Sequence, residues 1–213
     1  MSLPDNLFDS MRPEFASEIG VNPDFKTSAS ILVVTGQNAA GKSLLRRYLQ
    51  MTLKRDYEME VIHLSQEGRS TGGIERAFIY GSEGYESTGA MTAKTFIVGM
   101  KTMRKRERPH VVIWDEPEIG MGDELQLGTA NWFCSQLEDW PEHLQGIVLL
   151  THSRYFVRRV MEFPGARWLS LDGIKTPEAW LDREIVPVDP ETVLKTGHER
   201  FRRVSKILGR DDA

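Results

Sequence analysis

The sequence predicts an α/β fold, a mainly parallel sheet flanked by helices with a short helical C-terminal extension. Three observations lead there. Short apolar runs of strand length recur at Ile31–Thr35, Glu60–Leu64, Val111–Trp114, Gly146–Leu150 and Arg167–Leu171. Longer segments of mixed polarity separate them, as helical crossovers between parallel strands require. The central runs are almost continuously apolar, the pattern of strands covered on both faces.

Taken in order, residues 1–28 combine Pro4, Pro13 and Pro23 with scattered Leu7, Phe8, Phe15 and Phe25. They predict a short helix or loop packed on the edge of the domain. Strand Ile31–Thr35 runs into helix Lys42–Leu53, and strand Glu60–Leu64 follows. Gly68, Gly72, Gly73, Gly81, Gly84 and Gly89 predict loops over 67–89 around one short strand at Ala77–Tyr80. Met91–Arg108 reads as a helix with Phe96, Val98, Met100 and Met103, closed by a basic run and broken by Pro109. Strand Val111–Trp114 precedes a helix at Asp123–Leu137, expected to bury Leu125, Leu127, Trp132 and Phe133. Strand Gly146–Leu150, a helix near Arg154–Met161 and strand Arg167–Leu171 complete the sheet. Beyond Thr176 the chain turns polar, and Pro190–Leu208 reads as an appended helix carrying Arg200, Arg202, Arg203 and Lys206. The expected division is an edge segment at 1–28, the main domain at 29–175 and the extension at 176–213.

Composition narrows the function. A chain of 213 residues, 40% hydrophobic and 27% charged, suits one such domain. The net charge of −4 provides no overall attraction for nucleic acid, so such contact would need local patches, Arg104–Arg108 or Arg200–Arg210. Glu107 lies within the first, and Glu199 and Asp211 flank the second. Cys134 is the single cysteine, which excludes an intrachain disulfide and points to a reducing compartment. Charged residues interrupt every apolar run before membrane-spanning length, and the acidic N-terminus lacks a signal-like apolar segment. A cytoplasmic location is the expectation. The five tryptophans and Cys134 read as packing residues.

The chemistry begins at Gly36-Gln37-Asn38-Ala39-Ala40-Gly41-Lys42-Ser43, followed by Leu44. This is G-x-x-x-x-G-K-[ST] with a strand before it and a helix after it, the context a P-loop needs. The glycines permit a tight turn, while the amides and helix N-terminus provide donors for phosphate. Lys42 is placed to reach the β- and γ-phosphates of ATP, and Ser43 to hold Mg²⁺. A second signal is His110-Val111-Val112-Ile113-Trp114-Asp115-Glu116-Pro117-Glu118. It sets Asp115 at a buried strand tip beside the P-loop as a Mg²⁺ carboxylate, with Glu116 next to it as a base for water. A third places His152 beyond Ile147–Leu150, as a γ-phosphate contact.

Together these three motifs resemble the ABC-class ATPases, over roughly residues 31–155. Val34-Thr35-Gly36 into Asn38, and Thr95-Phe96-Ile97-Val98, are similar to MutS-type proteins; Asp115–Glu118 with Thr151-His152-Ser153 is similar to OLD-type and SMC/RecF-like heads. The resemblance implies a P-loop NTPase fold of the ABC type and Mg-ATP sandwiched in a nucleotide-dependent homodimer. It implies Gln66 as the Q-loop glutamine on Mg²⁺ and water. It also implies a signature segment, for which Ser87-Thr88-Gly89 is the choice although no L-S-G-G-Q occurs. The D-loop departs too, with Gly122 where aspartate is expected and Asp123 after it. Between Gln66 and Ser87 there is no room for a transporter's helical subdomain or a coiled-coil arm. The expectation is a compact ATPase switch coupled to a protein partner, in DNA metabolism or defence. The alternatives are a P-loop kinase, or an assembly or nucleic-acid-binding module that uses ATP with little turnover.

Overall fold

The computed structural model describes residues 2–65 and 87–209. The strands are β1 (Ile31–Thr35), β2 (Glu60–Ser65), β3 (His110–Asp115), β4 (Leu144–Leu150) and β5 (Ala166–Ser170). The helices are α1 (Pro13–Glu18), α2 (Lys42–Asp56), α3 (Thr88–Arg104), α4 (Asp123–Leu137), α5 (Arg154–Val160), α6 (Pro177–Asp182) and α7 (Pro190–Ile207). The five strands form one parallel sheet in the order β2-β3-β4-β1-β5. The fold is the α/β fold expected from the sequence, a parallel sheet flanked by helices.

Side chains of a strand alternate between faces, and the two cores follow that period. Leu32 and Val34, Val111 and Ile113, and Val148 and Leu150 face one cluster with Leu45, Leu49 and Leu53 of α2. Ile31 and Val33, Val112 and Trp114, and Ile147 and Leu149 face the other, against α3, α4, α5 and Trp180 of α6. Leu3, Leu7, Phe8, Met11, Phe15 and Ile19 of the N-terminal segment join the first cluster, and Val204 of α7 packs there as well. Phe96 stacks on Trp114 at 4.2 Å and anchors α3 to the sheet.

This order carries a consequence for the site. The chain leaves β1 through α2 on one face, then returns through β2, β3 and β4 with its helices on the other. The reversal makes a crevice at the carboxyl ends of the strands beside β1, where α/β sheets bind ligands. β4 pairs with both β1 and β3. Asp115 therefore ends a strand separated from β1 by β4, and it meets the helix that follows the P-loop through Arg46.

Two expectations change. Helix α3 starts at Thr88 and ends at Arg104, where Lys105 takes the C-cap, so it lies earlier than Met91–Arg108. On α4 the buried positions are Thr129, Ala130, Phe133, Cys134 and Leu137. Leu125 and Leu127 fall off that helical stripe and are exposed, and Trp132 is only partly buried. The strand expected at Ala77–Tyr80 lies outside the described residues.

Two glycines test this packing in opposite directions. A Cβ at Gly99 would stand 2.7 Å from Trp114 Cη2 and 2.8 Å from Leu64 Cδ1, whereas one at exposed Gly128 meets nothing within 4 Å. Gly99→Val should lower the unfolding free energy in urea by about 1–3 kcal/mol. Gly128→Ala should raise it by about 0.5–1 kcal/mol.

Candidate active site

The loop between β1 and α2 is wound tightly. A Cβ on Gly36 would stand 2.9 Å from the Ala40 Cβ, and Gly41 takes φ +105°, so both positions require glycine. Ala39 also adopts a left-handed backbone, at φ 62°. Gly41 caps α2 without any side-chain hydrogen bond. The first-turn amides of α2 thus have no side-chain acceptor, and Ser43 there is exposed. Leu44 is partly buried against the first core. The near end of the loop is tied to β5: the Gln37 amide donates to Asp172 Oδ1 at 2.8 Å, and Arg183 Nη1 donates to the other carboxylate oxygen at 3.2 Å.

Lys42 is buried, and its ammonium is where the strand ends converge. Nζ lies 3.2 Å from the Gly36 carbonyl, 3.5 Å from the Gln37 carbonyl, 3.5 Å from Glu116 Oε1 and 2.5 Å from His152 Nε2. Burial pushes its pKa down, while the Glu116 carboxylate, and beyond it Asp115 and Glu118, oppose that shift.

Glu116 follows β3 in a left-handed conformation, φ 51°, its amide donating to the Leu150 carbonyl at 2.8 Å. Such a backbone is unfavourable for a non-glycine residue and is held in place by its surroundings. Its Oε1 is 3.1 Å from His152 Nε2. The hydrogen bond from His152 holds the carboxyl below its usual range; burial works against this, and Lys42 reinforces it. His152 Nε2 thus stands between an ammonium and a carboxylate: neutral, it accepts from Lys42, and protonated, it donates to Glu116. Because β4 lies between β1 and β3, the residue just beyond its end spans both loops.

Further residues complete the site, among them Glu118 and Ser153 of the motifs, which the sequence left without a role. Glu118 is buried, and its Oε1 accepts the His152 amide at 2.6 Å. Burial pushes this carboxyl up, against hydrogen bonds from the 151–152 turn. Ser153 Oγ donates to Gln126 Oε1 at 2.7 Å and accepts the Phe156 amide at 3.3 Å, fixing the start of α5. Asp115 is engaged by Arg46, whose Nε lies 2.9 Å from Oδ2; His63 Nε2 is 3.8 Å from the same oxygen. Arg46 is buried on α2, three residues after Ser43. Its spacing from Ser43 is the one signal that could have marked it, since i and i+3 share a helix face.

The remaining sequence candidates are placed differently. Gln66 lies outside the described residues. Ser87 caps α3 by accepting the Ala90 amide, while Thr88 and Gly89 pack against Gly120 and Leu125 of the segment after β3. Thr92 Oγ1 donates to the Ile119 carbonyl at 2.8 Å in the same junction. Ser87 and Thr88 are exposed. In the basic runs, Arg104 is bound to the Gln136 and Asp139 carbonyls, and Arg106 to Glu60 at 2.8 Å. Arg200 donates to the Ala39 carbonyl within the P-loop, and Arg203 makes a two-pronged pair with Glu18. Lys105, Arg108 and Arg202 remain exposed, and Arg210 is outside the described residues. Cys134 is buried, its thiol pushed up to about 11 by desolvation, which makes it inert. Among the described residues no helix is long and apolar enough to cross a membrane.

No protein-family model and no curated protein matches the sequence. Solved structures with partial similarity include the following three. Against an E. coli MS115-1 complex of HORMA, CdnC and Trip13, the identity is 14% and the TM-score 0.41, covering 77% of this chain and 58% of that one. Against C. elegans PCH-2 the values are 15% and 0.38, over 74% and 38% of the two chains. Against the Aeropyrum pernix ORC1 protein in complex with DNA they are 14% and 0.40, over 93% and 50%. This chain thus spans less than two thirds of each, and similarity this low is no guide to function.

Two measurements probe the charge arrangement. Arg46→Met leaves Asp115 without its guanidinium and should cost on the order of 3 kcal/mol in urea unfolding; a loss under about 1 kcal/mol would show that Asp115 does not lean on it. For Glu116, the folded carboxylate binds its proton more weakly than the unfolded one. Its stabilising contribution is therefore complete above the ordinary glutamate range and is lost as pH falls through the lowered folded value. The stability difference between wild type and Glu116→Gln should shrink on acidification and stay flat near neutrality.

Proposed function

We propose that this chain is a Mg-ATP-dependent ATPase of the ABC type, a nucleotide-driven dimerisation switch coupled to a protein partner. One observation supports this most: Lys42, Glu116 and His152, from three different strand ends, meet within 3.5 Å at the mouth of the P-loop.

The residues fit a triphosphate. The tightly wound loop, the uncapped N-terminus of α2 and the Lys42 ammonium form an anion cradle. Gly36, Gln37, Asn38, Ala39, Ala40, Gly41, Lys42, Ser43 and Leu44 would enclose the phosphates. Ser43 and Asp115 would hold Mg²⁺, with Gln66 as a further ligand; bound there, Mg²⁺ would neutralise phosphate charge. Among the described residues no three His, Cys, Asp or Glu side chains are grouped to hold an ion by themselves. A Mg²⁺ at this place therefore draws on substrate phosphate and water, its usual mode.

Glu116 is the base. Its carboxylate is kept ionised by His152 and Lys42, the state needed to accept a proton from water. When Lys42 turns to a phosphate, Glu116 loses a counter-charge and becomes more basic, so substrate binding itself prepares the base. His152 keeps the carboxylate oriented, and Glu118 keeps His152 in place through the 151–152 turn.

Support for a partner-facing surface comes from the junction of α3 with the segment after β3. Ile119 and Leu125 are exposed apolar residues at the Thr88–Gly89 start of α3, and Leu127 is exposed further along α4. In this reading a second head covers them, with Ser87–Gly89 as the signature segment. The basic runs offer weaker support for nucleic acid, because Arg104, Arg106, Arg200 and Arg203 are already engaged.

Lys42→Ala should abolish nucleotide binding. Glu116→Gln should keep binding yet lower phosphate release by about 10²–10⁴-fold, and should be a dimer by light scattering under Mg-ATP. A Glu116→Gln protein that stays monomeric at saturating Mg-ATP would remove the switch. Phosphate release that requires an added acceptor would turn the assignment to phosphotransfer.

A further inference from the structure

Between α2 and α7 opens a groove of about 470 Å³, and of the residues assigned to nucleotide only Leu44 reaches it. One helical face makes each wall. Leu44, Arg47, Tyr48, Met51 and Arg55 line it from α2, at i, i+3, i+4, i+7 and i+11. Phe201, Val204, Ser205 and Leu208 line it from α7 and its C-cap, at i, i+3, i+4 and i+7. Buried Phe15 and Val204 form the floor. The Phe15 and Tyr48 rings meet there at 5.9 Å, and the Tyr48 hydroxyl donates to the Leu7 carbonyl at 3.1 Å.

The rim is apolar and wet. Met51, Phe201 and Leu208 line the groove with 53%, 47% and 49% of their surface exposed. A single exposed apolar side chain is ordinary, but three around one buried floor make a patch that a partner would cover. The stripe also continues beyond the groove. Leu194, Phe201 and Leu208 are all exposed and stand seven residues apart on α7, the spacing that keeps a seam turned towards a companion helix. From Leu194 to Leu208 the seam is about 21 Å long, or about four turns.

Charge decides which kind of helix fits. The lining carries Arg12, Arg47 and Arg55, and no carboxylate among the described residues. Arg55 is paired with Asp56, which stands off the lining. Arg12 donates to the Ile207 carbonyl at 2.8 Å, a contact that leaves its charge uncompensated. Exposed Arg47 has no ion-pair partner among the described residues. An apolar floor with cationic edges suits a helix that has an apolar stripe and acidic flanks.

We propose that this groove docks an acidic amphipathic helix of a partner protein, laid along α7. Its apolar side chains pack on Met51, Phe201 and Leu208, and its carboxylates meet Arg12 and Arg47. Such docking rests on the reading of a partner-coupled switch and gives that partner a place. Both walls of the groove lead back to the P-loop, since α2 opens with Lys42 and Ser43 and α7 carries Arg200 onto the Ala39 carbonyl.

The test is fluorescence anisotropy of labelled synthetic helices, about four turns long, titrated with the full chain in the absence of nucleotide. One peptide has leucines at i, i+3, i+4 and i+7 with glutamates on the flanks. A second has lysines for the glutamates, and a third keeps the first composition with its leucines spread round the helix. The first should bind saturably and more tightly than either control, and added salt should weaken it. Phe201→Ala and Met51→Ala should each weaken it about tenfold, the effect of losing an interface anchor. Arg47→Glu should weaken it likewise and strengthen the lysine peptide. These three side chains are exposed, and far-ultraviolet circular dichroism checks that the variants fold. The proposal is overturned if the first peptide does not saturate, if it binds no better than the third, or if the three variants bind it like wild type. It is also overturned if light scattering without nucleotide finds a dimer that Met51→Asp dissolves, since a second copy then covers the groove. Saturable binding by a protein that ignores Mg-ATPγS would leave the groove standing and strike only at the ATPase reading.

Discussion

A lysine ammonium taken out of water must be given negative charge and hydrogen-bond acceptors, or it loses its proton. Lys42 gets both. Two loop carbonyls, the Glu116 carboxylate and the His152 imidazole surround it. Each of these groups comes from a different place in the chain, and their meeting fixes how the ends of β1, β3 and β4 are aligned. The parallel registers of β1 with β4 and of β4 with β3 are the framework for that meeting. A shift of one residue in either pairing would turn the strand's side chains to the opposite faces and move His152 or Glu116 off the ammonium.

A second buried charge pair lies behind the first. Asp115 is met by Arg46, with His63 on the adjacent edge strand. Two ion clusters therefore stand one turn apart on α2, Lys42 serving the loop after β1 and Arg46 serving the end of β3. An arginine in that position gives Asp115 a counter-ion when no divalent ion is bound. It also means that any metal reaching Asp115 competes with a guanidinium for the same carboxylate.

The C-terminal extension belongs to this electrostatic arrangement as much as to the packing. Arg200 of α7 reaches the Ala39 carbonyl, inside the P-loop, and Arg203 grips Glu18 at the end of α1. Asp172 ties Gln37 to Arg183, which lies over the Trp180 ring at 4.7 Å. The loop that would hold phosphate is thus braced from both sides by the chain that follows β5. The contacts that reach the loop itself are far apart in sequence: Arg200 and Ala39 by 161 residues, Asp172 and Gln37 by 135.

The sequence alone determined the positions of the five described strands, the P-loop with its glycines, and Asp115, Glu116 and His152 as polar residues at or just past the ends of buried strands. Those are local properties, because apolar runs, φ requirements and the spacing of a tight turn are written in consecutive residues. Tertiary structure alone decided that β4 lies between β1 and β3, and hence that His152 rather than Asp115 touches Lys42. It also decided that Leu125 and Leu127 face outward, and that Arg46, Glu118 and Asp172 serve the site. Strand order and long-range ion pairs depend on which faces are left to be covered once the helices have crossed, and no short stretch of residues encodes that choice.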